Sequence, residues 1–327
     1  MTNQKRLRAG VVALACAWAA TAAWSQSPLR AWNTHPEGYP VTEALKSFAQ
    51  DVESTTRGKY RIQVHSNAVL GDQVKAIAML KSGEIELAEF SAAQLSDFAP
   101  GLKAFNLPFL FVDSAHMFRY LDGALGAKLA EQLKASGFVV LGWYNGGARS
   151  FYCAGKSPAK AENLAGLRIR VPQSEVYTSM VKLLGATPVE IPYKEVLDGF
   201  QQGKIDCAEG SLASFEATGH YKVARHVLLD NHIVSPELLV ASTKLWNTLN
   251  DTEKAQFKDA GNRSALLMRD LWEKRVTAAR AAVTKDGVQI VPVKDISPYV
   301  RKMAPLYGKY MADPAVRADL FMIVGNQ

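Results

Sequence analysis

The chain has 327 residues, 48% of them hydrophobic and 21% charged, with a formal charge of +7. That length suits two lobes better than one core. The positive charge is spread along the chain with no basic cluster interleaved with aromatics, which excludes the footprint of a nucleic-acid binder.

The first element is a targeting segment. Lys5, Arg6 and Arg8 form a positive start, residues 9–23 are an apolar, Ala-rich run, and Ala23 and Ser25 place small residues where a signal peptidase reads. Residues 1–25 therefore read as a secretory signal. An uncleaved anchor and lipoprotein processing at Cys16 are the competing readings; the apolar run is short for a spanning helix. Removal of 1–25 takes three cations and no acid, so the charge falls from +7 to +4.

Residues 29–33 read as a first strand. Residues 41–56 have helical apolar spacing through Ala44, Leu45, Phe48, Ala49 and Val52, and Gly58 ends the run. Tyr60, Ile62 and Val64 alternate as a strand, 72–82 read as a helix stopped by Gly83, and 85–91 as another strand. This rhythm predicts an α/β sheet. It recurs: residues 83–91 and 203–211 share the form G-x-I-acid-x-A-E-x-S, each after an apolar helix and a strand-like run. Either these are corresponding elements of two lobes or the likeness is chance. If they correspond, Ser91, Glu209, Gly210 and Ser211 sit where open α/β sheets bind ligands, beyond the carboxyl ends of their strands. Later, Asn250 and Glu253 form a helix-start signal, and a helical pattern of about thirty residues runs from Thr252 through Leu267, Leu271 and Val276 to about Val283. Such a helix is long enough to bridge two lobes. Residues 288–291 read as a late strand ended by Pro292, and 296–311 as a closing helix.

The sequence carries no G-x-x-x-x-G-K, G-x-G-x-x-G, H-E-x-x-H or G-x-S-x-G motif. With no C-x-x-C pair and few, scattered histidines, neither a metal site nor a cofactor is expected. Cys153 and Cys207 lie in the exported part, and the sequence leaves open a disulfide or two buried thiols. Two arginines carry more. In Leu167-Arg168-Ile169-Arg170-Val171-Pro172, the aliphatic residues face one side and Arg168 and Arg170 the other. An arginine facing a cleft clamps a carboxylate with two parallel hydrogen bonds; the plainer reading is a solvated arginine. Arg149 follows the pair Gly146-Gly147, which suggests a chain crossing or hinge.

The ordered set G-L-R-I-R-V-P (166–172), L-G-A-T-P-V-E-I-P-Y-K-E-V (184–196) and Q-Q-G-K-I-D-C-A-E (201–209) resembles the DctP-type substrate-binding proteins of TRAP transporters. So do the L-G-D turn at 70–72, N-L-P-F-L-F at 106–111 and H-Y-K-V-A at 220–224, the last as a helix. The resemblance covers nearly all of the exported chain. It implies a two-lobed α/β periplasmic-binding-protein fold with crossing strands and one long helix spanning both lobes. It implies lobe I as 26–146 plus 236–275 and lobe II as 147–235 plus 276–327. It also implies a non-enzymatic, monomeric periplasmic receptor that delivers a small organic acid to the small and large TRAP membrane subunits. Arg170 inherits the role of carboxylate partner and Arg149 that of its assistant. Where many members carry Asn, this chain has Gly210, which removes an amide and leaves room, with Ser211 or a larger ligand to fill it. The segments 34–40 and 147–152, the latter with Tyr152, are similar to a subgroup that includes hexuronate binders, although Cys153 stands where those tend to carry Asn. His35, Ser91 and Glu209 would then meet sugar hydroxyls. Trp32, Trp143 and Phe90 would instead line an apolar wall for an aromatic or branched acid, unless they are core. Two other classes remain open: a secreted hydrolase or lyase using Cys153, Cys207, Glu209 or His35, and a ligand-sensing module of the same fold.

Overall fold

In the computed structural model the described residues are 28–155 and 160–325; the targeting segment at 1–25 lies outside them. Strands β1 (Leu29–Trp32), β2 (Ile62–His65) and β3 (Leu87–Ser91) run parallel, joined by helices α1 (Pro40–Thr55) and α2 (Gln73–Ser82). In α1 the apolar spacing buries Ala44, Leu45, Phe48, Ala49 and Val52, as predicted. Asp72 caps α2, accepting the Lys75 amide at 2.9 Å, and Gly83 ends it in the left-handed region. Four helices follow: α3 (Ala92–Leu95), α4 (Gly101–Phe105), α5 (Ser114–Leu121) and α6 (Ala124–Ala135).

The long strand β4 (Phe138–Cys153) leads into a second strand–helix series. This comprises β5 (Arg168–Val171), α7 (Glu175–Leu183), β6 (Thr187–Glu190), α8 (Val196–Gln201), β7 (Cys207–Gly210) and α9 (Leu212–Ala217). A second long strand, β8 (His226–Ser242), returns antiparallel to β4. Then come α10 (Thr243–Thr248), α11 (Asp251–Lys285), β9 (Gln289–Pro292), α12 (Ser297–Met311) and α13 (Pro314–Val324). All strands join one sheet in the order β2-β1-β3-β8-β4-β7-β5-β6, with β9 beside β8. The long strands are the crossing strands. The carboxyl half of β8 pairs with β3, the carboxyl half of β4 with β7, and the two pair with each other from Phe138↔Ser242 to Cys153↔His226. The register shifts between Asn145 and Ala148, at the glycine pair.

The sheet realises the repeat. β3 and β7 are corresponding strands, each antiparallel to one crossing strand, and the serines that end the motif, Ser91 and Ser211, are the N-caps of α3 and α9.

The predicted capping box starts α11: Asn250 accepts the Glu253 amide and Glu253 the Asn250 amide, both at 2.9 Å. This helix of 35 residues packs along α1, where Ser264 donates to the Ala44 carbonyl at 2.8 Å, and reaches α9 through the Arg275–Glu216 ion pair. Its buried face holds Phe257, Ala265, Met268 and Trp272, while Leu267 is on the outer side.

Strand β9 ends at Pro292, as expected, with that residue as its last partner to β8. Two expectations change. Residues 220–224 do not form a helix: a single 3-10 turn, His220–Lys222, follows Gly219 in the left-handed region. Beyond 311 the chain forms α13, capped by Asp313, which ties back to the first half through Lys128–Asp319 at 2.6 Å and Tyr120 to the Ile323 carbonyl at 3.0 Å. Of the two options for the cysteines, the structure takes the bridge: Cys153 and Cys207 are direct partners across β4 and β7 and form a disulfide.

Candidate functional site

Two parallel pairs of opposite direction, β1 with β3 and β5 with β7, end at one cleft and deliver His35, Ser91, Arg170 and Ser211 to it. An inner chamber of about 40 Å³ adjoins an outer one of about 220 Å³; Thr34, Gln73, Arg170, Pro172 and Tyr193 line both. Arg149 reaches the inner chamber from β4, beside the register shift.

Alternation on β5 sorts its arginines as predicted, but to different ends. Arg168 is exposed and pairs with Asp206 at 2.6 Å. Arg170 is 4% exposed, held between β7 and β6. Its Nε donates to the Ile191 carbonyl at 2.9 Å, and among the described residues no carboxylate pairs with it. Burial lowers its pKa from the ordinary arginine value, with Glu209 nearby opposing that shift.

Arg149 differs. Its Nε and terminal nitrogen donate to the two oxygens of Glu209 at 2.5 and 2.7 Å, and its guanidinium lies 5.5 Å from the Tyr177 ring. Glu209 also lies 3.5 Å from His232 Nε2, whose Nδ1 faces Asp230 at 3.0 Å. Burial alone would raise the Glu209 pKa, but Arg149 and His232 outweigh it and hold the carboxyl at about 2. Burial would likewise lower that of His232, and Asp230 and Glu209 override it to about 9. The result is a buried relay, Asp230–His232–Glu209–Arg149, of which the sequence had pointed to Arg149 and Glu209 but not to Asp230 or His232.

Two expected contacts move back from the cleft. Glu209 has no exposed side-chain surface, and both its oxygens are taken by Arg149, so it positions that arginine instead of meeting ligand hydroxyls. Tyr152 packs against Phe215 and its hydroxyl pairs with His220 Nδ1 at 2.9 Å, so it backs the wall. Gly210 lines neither chamber: it is buried beside Tyr152, and a Cβ there would be in ordinary contact, 3.6 Å from Tyr152 Cε1 and 4.0 Å from the outer nitrogen of Arg149. Ser211 lines the chamber while its Oγ accepts the Ser214 amide at 3.2 Å, and Ser91 lines it at the opposite cap. Trp32, Phe90 and Trp143 are buried in the core and do not line the cleft, which removes the apolar wall.

The residues missed in the sequence are Tyr177 and Tyr193, which line the inner chamber, and the buried pair Glu89 and Glu237. His35, stacked on Tyr39 at 4.4 Å, has Nε2 3.3 Å from Glu237 and 3.9 Å from Glu89. Histidines scattered in sequence therefore gather with acids in space; His35, Glu89 and Glu237 bring three metal-competent atoms within 4.8 Å of one another. The one signal for the pair was the repeat, which places Glu89 opposite Glu209. No helix of the described residues is long and apolar enough to cross a membrane.

Residues 32–313 match the family model for bacterial extracellular solute-binding protein, family 7. A solute-binding protein of Chromohalobacter salexigens is 34% identical over 87% of this chain and 84% of its own length. A TRAP periplasmic solute-binding protein of Roseobacter denitrificans with bound β-D-glucuronate superposes with a TM-score of 0.89 at 36% identity, over 90% of this chain and 98% of that one. Another, from a Bradyrhizobium species with bound α/β-D-galacturonate, gives 0.88 at 34% identity, over 90% and 99%.

Proposed function

Because the chain belongs to the bacterial extracellular solute-binding proteins of family 7, the DctP-type receptors of TRAP transporters, we propose that it binds a hexuronate or related sugar acid through an Arg170–carboxylate pair in the inter-lobe cleft. The family's members are periplasmic components of transport and not enzymes. The observation that carries the ligand reading is Arg170 itself: a buried guanidinium with one hydrogen bond and, among the described residues, no carboxylate. A buried charge is tolerated when paired, and Arg149 is already answered by Glu209. The Arg170 wall of the cleft therefore holds a cation without a carboxylate, and a bidentate ligand carboxylate completes it. The glucuronate and galacturonate bound by its structural relatives support a sugar acid. An aromatic acid loses its wall to the core, and a hydrolase or lyase loses Cys153 and Cys207 to the disulfide and Glu209 to Arg149.

In this reading the lobes, 26–146 with 236–275 and 147–235 with 276–327, close over the acid by hinge motion, with α13 reaching back to lobe I. The receptor acts as a monomer, is exported by residues 1–25, and passes its ligand to the small and large membrane subunits.

Calorimetric titration of the chain lacking 1–25 tests this with D-glucuronate, D-galacturonate and the parent neutral sugars. The acids bind and the neutral sugars do not. Arg170→Ala weakens binding by about 3 kcal/mol or more, a hundredfold or more. Equal binding of acid and neutral sugar, or an unaffected variant, would overturn the assignment.

A further inference from the structure

We infer that the Cys153–Cys207 disulfide is a positioning element of the ligand site: it clamps β4 to β7 and so holds Arg149 on Glu209, where that arginine reaches the inner chamber.

Arg149 has little else to fix it. Along β8 its strand is irregular on both sides, with register shifts between Asn145 and Ala148 and again between Arg149 and Phe151. The regular ladder next to it is that of β4 with β7, which runs Ser150↔Gly210, Phe151↔Glu209, Tyr152↔Ala208 and Cys153↔Cys207. The end beside Arg149 is Gly210, which has no side chain to pack across the strands. The other end is the disulfide. On its far side β7 pairs with β5 at Ile169↔Cys207 and Arg170↔Ala208, so the bridge lies one row from Arg170 as well.

Strand alternation puts Cys207 and Glu209 on the same face of β7. A shift of β7 along β4 therefore moves the Glu209 carboxylate off the guanidinium that it grips at 2.5 and 2.7 Å. The bond also reaches beyond its own strands. Its cysteines are 54 residues apart, and the stretch they enclose carries Arg170, Tyr177 and Tyr193, which line the inner chamber. The disulfide closes these groups into one covalent loop and ties the loop to the strand of Arg149. Cys153 and Cys207 are 1% and 0% exposed, inside the core, so the folded protein keeps its clamp until this half of the sheet opens. A staple that only adds stability lowers the unfolding midpoint when removed and leaves the folded site as it was. A positioning element changes the folded site.

The test uses two clamp-free forms of the chain lacking 1–25. One is Cys153→Ala/Cys207→Ala. The other is the wild type unfolded and refolded in dithiothreitol, its two thiols counted by alkylation and mass; it keeps both sulfurs and leaves no cavity. All measurements are made where circular dichroism shows each form folded. The first readout needs no ligand: proton exchange at the Arg149 side-chain Nε–H, followed by NMR of protein labelled with ¹⁵N-arginine and assigned by its loss in Arg149→Lys. We expect exchange about tenfold or more faster in both clamp-free forms. The second is affinity for D-glucuronate by calorimetry, which rests on the sugar-acid reading. It should fall about tenfold without the clamp, but by about twofold at most when the clamp is removed from Arg149→Ala. Unchanged Arg149 exchange in folded clamp-free protein overturns the inference whatever the affinity does. An equal loss of affinity with Arg149 present and absent overturns it too. A wild type that binds no glucuronate counts against the sugar-acid reading and leaves the exchange measurement to decide this one.

Discussion

At the scale of single residues the cleft is organised by which charges are already answered. Arg149 and Arg170 are near neighbours in the chamber, but only Arg149 has a protein carboxylate. The relay behind Arg149 makes a pH prediction. Glu209, held at about 2 against an ordinary 4.5, contributes stability that is full above pH 4.5 and is lost as pH falls toward 2. His232, raised to about 9 from 6.5, contributes stability that is full below pH 6.5 and is lost as pH rises through 9. Denaturant midpoints between pH 6.5 and 9 should therefore fall in the wild type, and that alkaline slope should flatten in His232→Gln. The same slope in both proteins would remove the charged His232 from the account. Strand alternation is local and put Arg168 and Arg170 on one face, and the resemblance to the DctP-type receptors singled out Arg170. The repeat marked Glu209, but its pairing with Arg149 and the parts played by His232 and Asp230 were not legible, because what defines them is contact across the sheet: Arg149 and Glu209 are 60 residues apart, and His35 and Glu237 are 202 apart. Nothing in local composition distinguishes a glutamate spent on an arginine from one left facing a ligand.

Among the elements, α11 lies on β4 through glycines rather than side chains. A Cβ on Gly261 would stand 2.4 Å from the Leu141 carbonyl oxygen, and one on Gly142 would stand 2.8 Å from the Gly261 oxygen. Both atoms are backbone, so neither swings away. Helix propensity alone favours Gly261→Ala by about 1 kcal/mol, whereas overpacking costs about 1–3 kcal/mol. The packing term wins, and Gly261→Ala should unfold at lower urea than the wild type. Gly308, exposed inside α12 with nothing within 4 Å of its Cβ, is the control: Gly308→Ala should gain up to about 1 kcal/mol. A gain at both positions would mean that α11 is free to lift off the sheet. The length of α11 and its capping box were readable, since periodicity and caps are local signals, but which of its apolar residues are buried was not: Met268 and Trp272 are, Leu267 is not. A helix shared by two lobes meets α1 along one stretch and α9 along another, so no single apolar stripe marks its packing. The short apolar helix α13 and the turn at His220–Lys222 likewise depend on what they dock against.

In the whole molecule, the sheet is continuous, so any closure of one half on the other must bend β4, β8 and α11 together. The bend has a candidate locus in β4. The register with β8 shifts between Asn145 and Ala148, and Gly147 sits there at φ +79. Trp272 of α11 covers this glycine so closely that a Cβ would lie 2.3 Å from its ring. One position thus joins a crossing strand to the shared helix, one residue from Ala148 and two from Arg149, which reaches the chamber. Gly147→Ala meets two costs, a left-handed conformation that alanine disfavours and the indole ring. Both are relieved by changing the angle at which the strands cross. The variant should therefore bind sugar acid about tenfold or more weakly with Arg170 untouched, a cost of about 1–3 kcal/mol at a strained backbone position. Its radius of gyration by small-angle scattering should change less between the free and saturated states than that of the wild type. A thermal midpoint near that of the wild type shows that the variant is folded. If affinity and compaction on binding both match the wild type, the glycine pair is a packing detail and the bend lies elsewhere along the crossing strands.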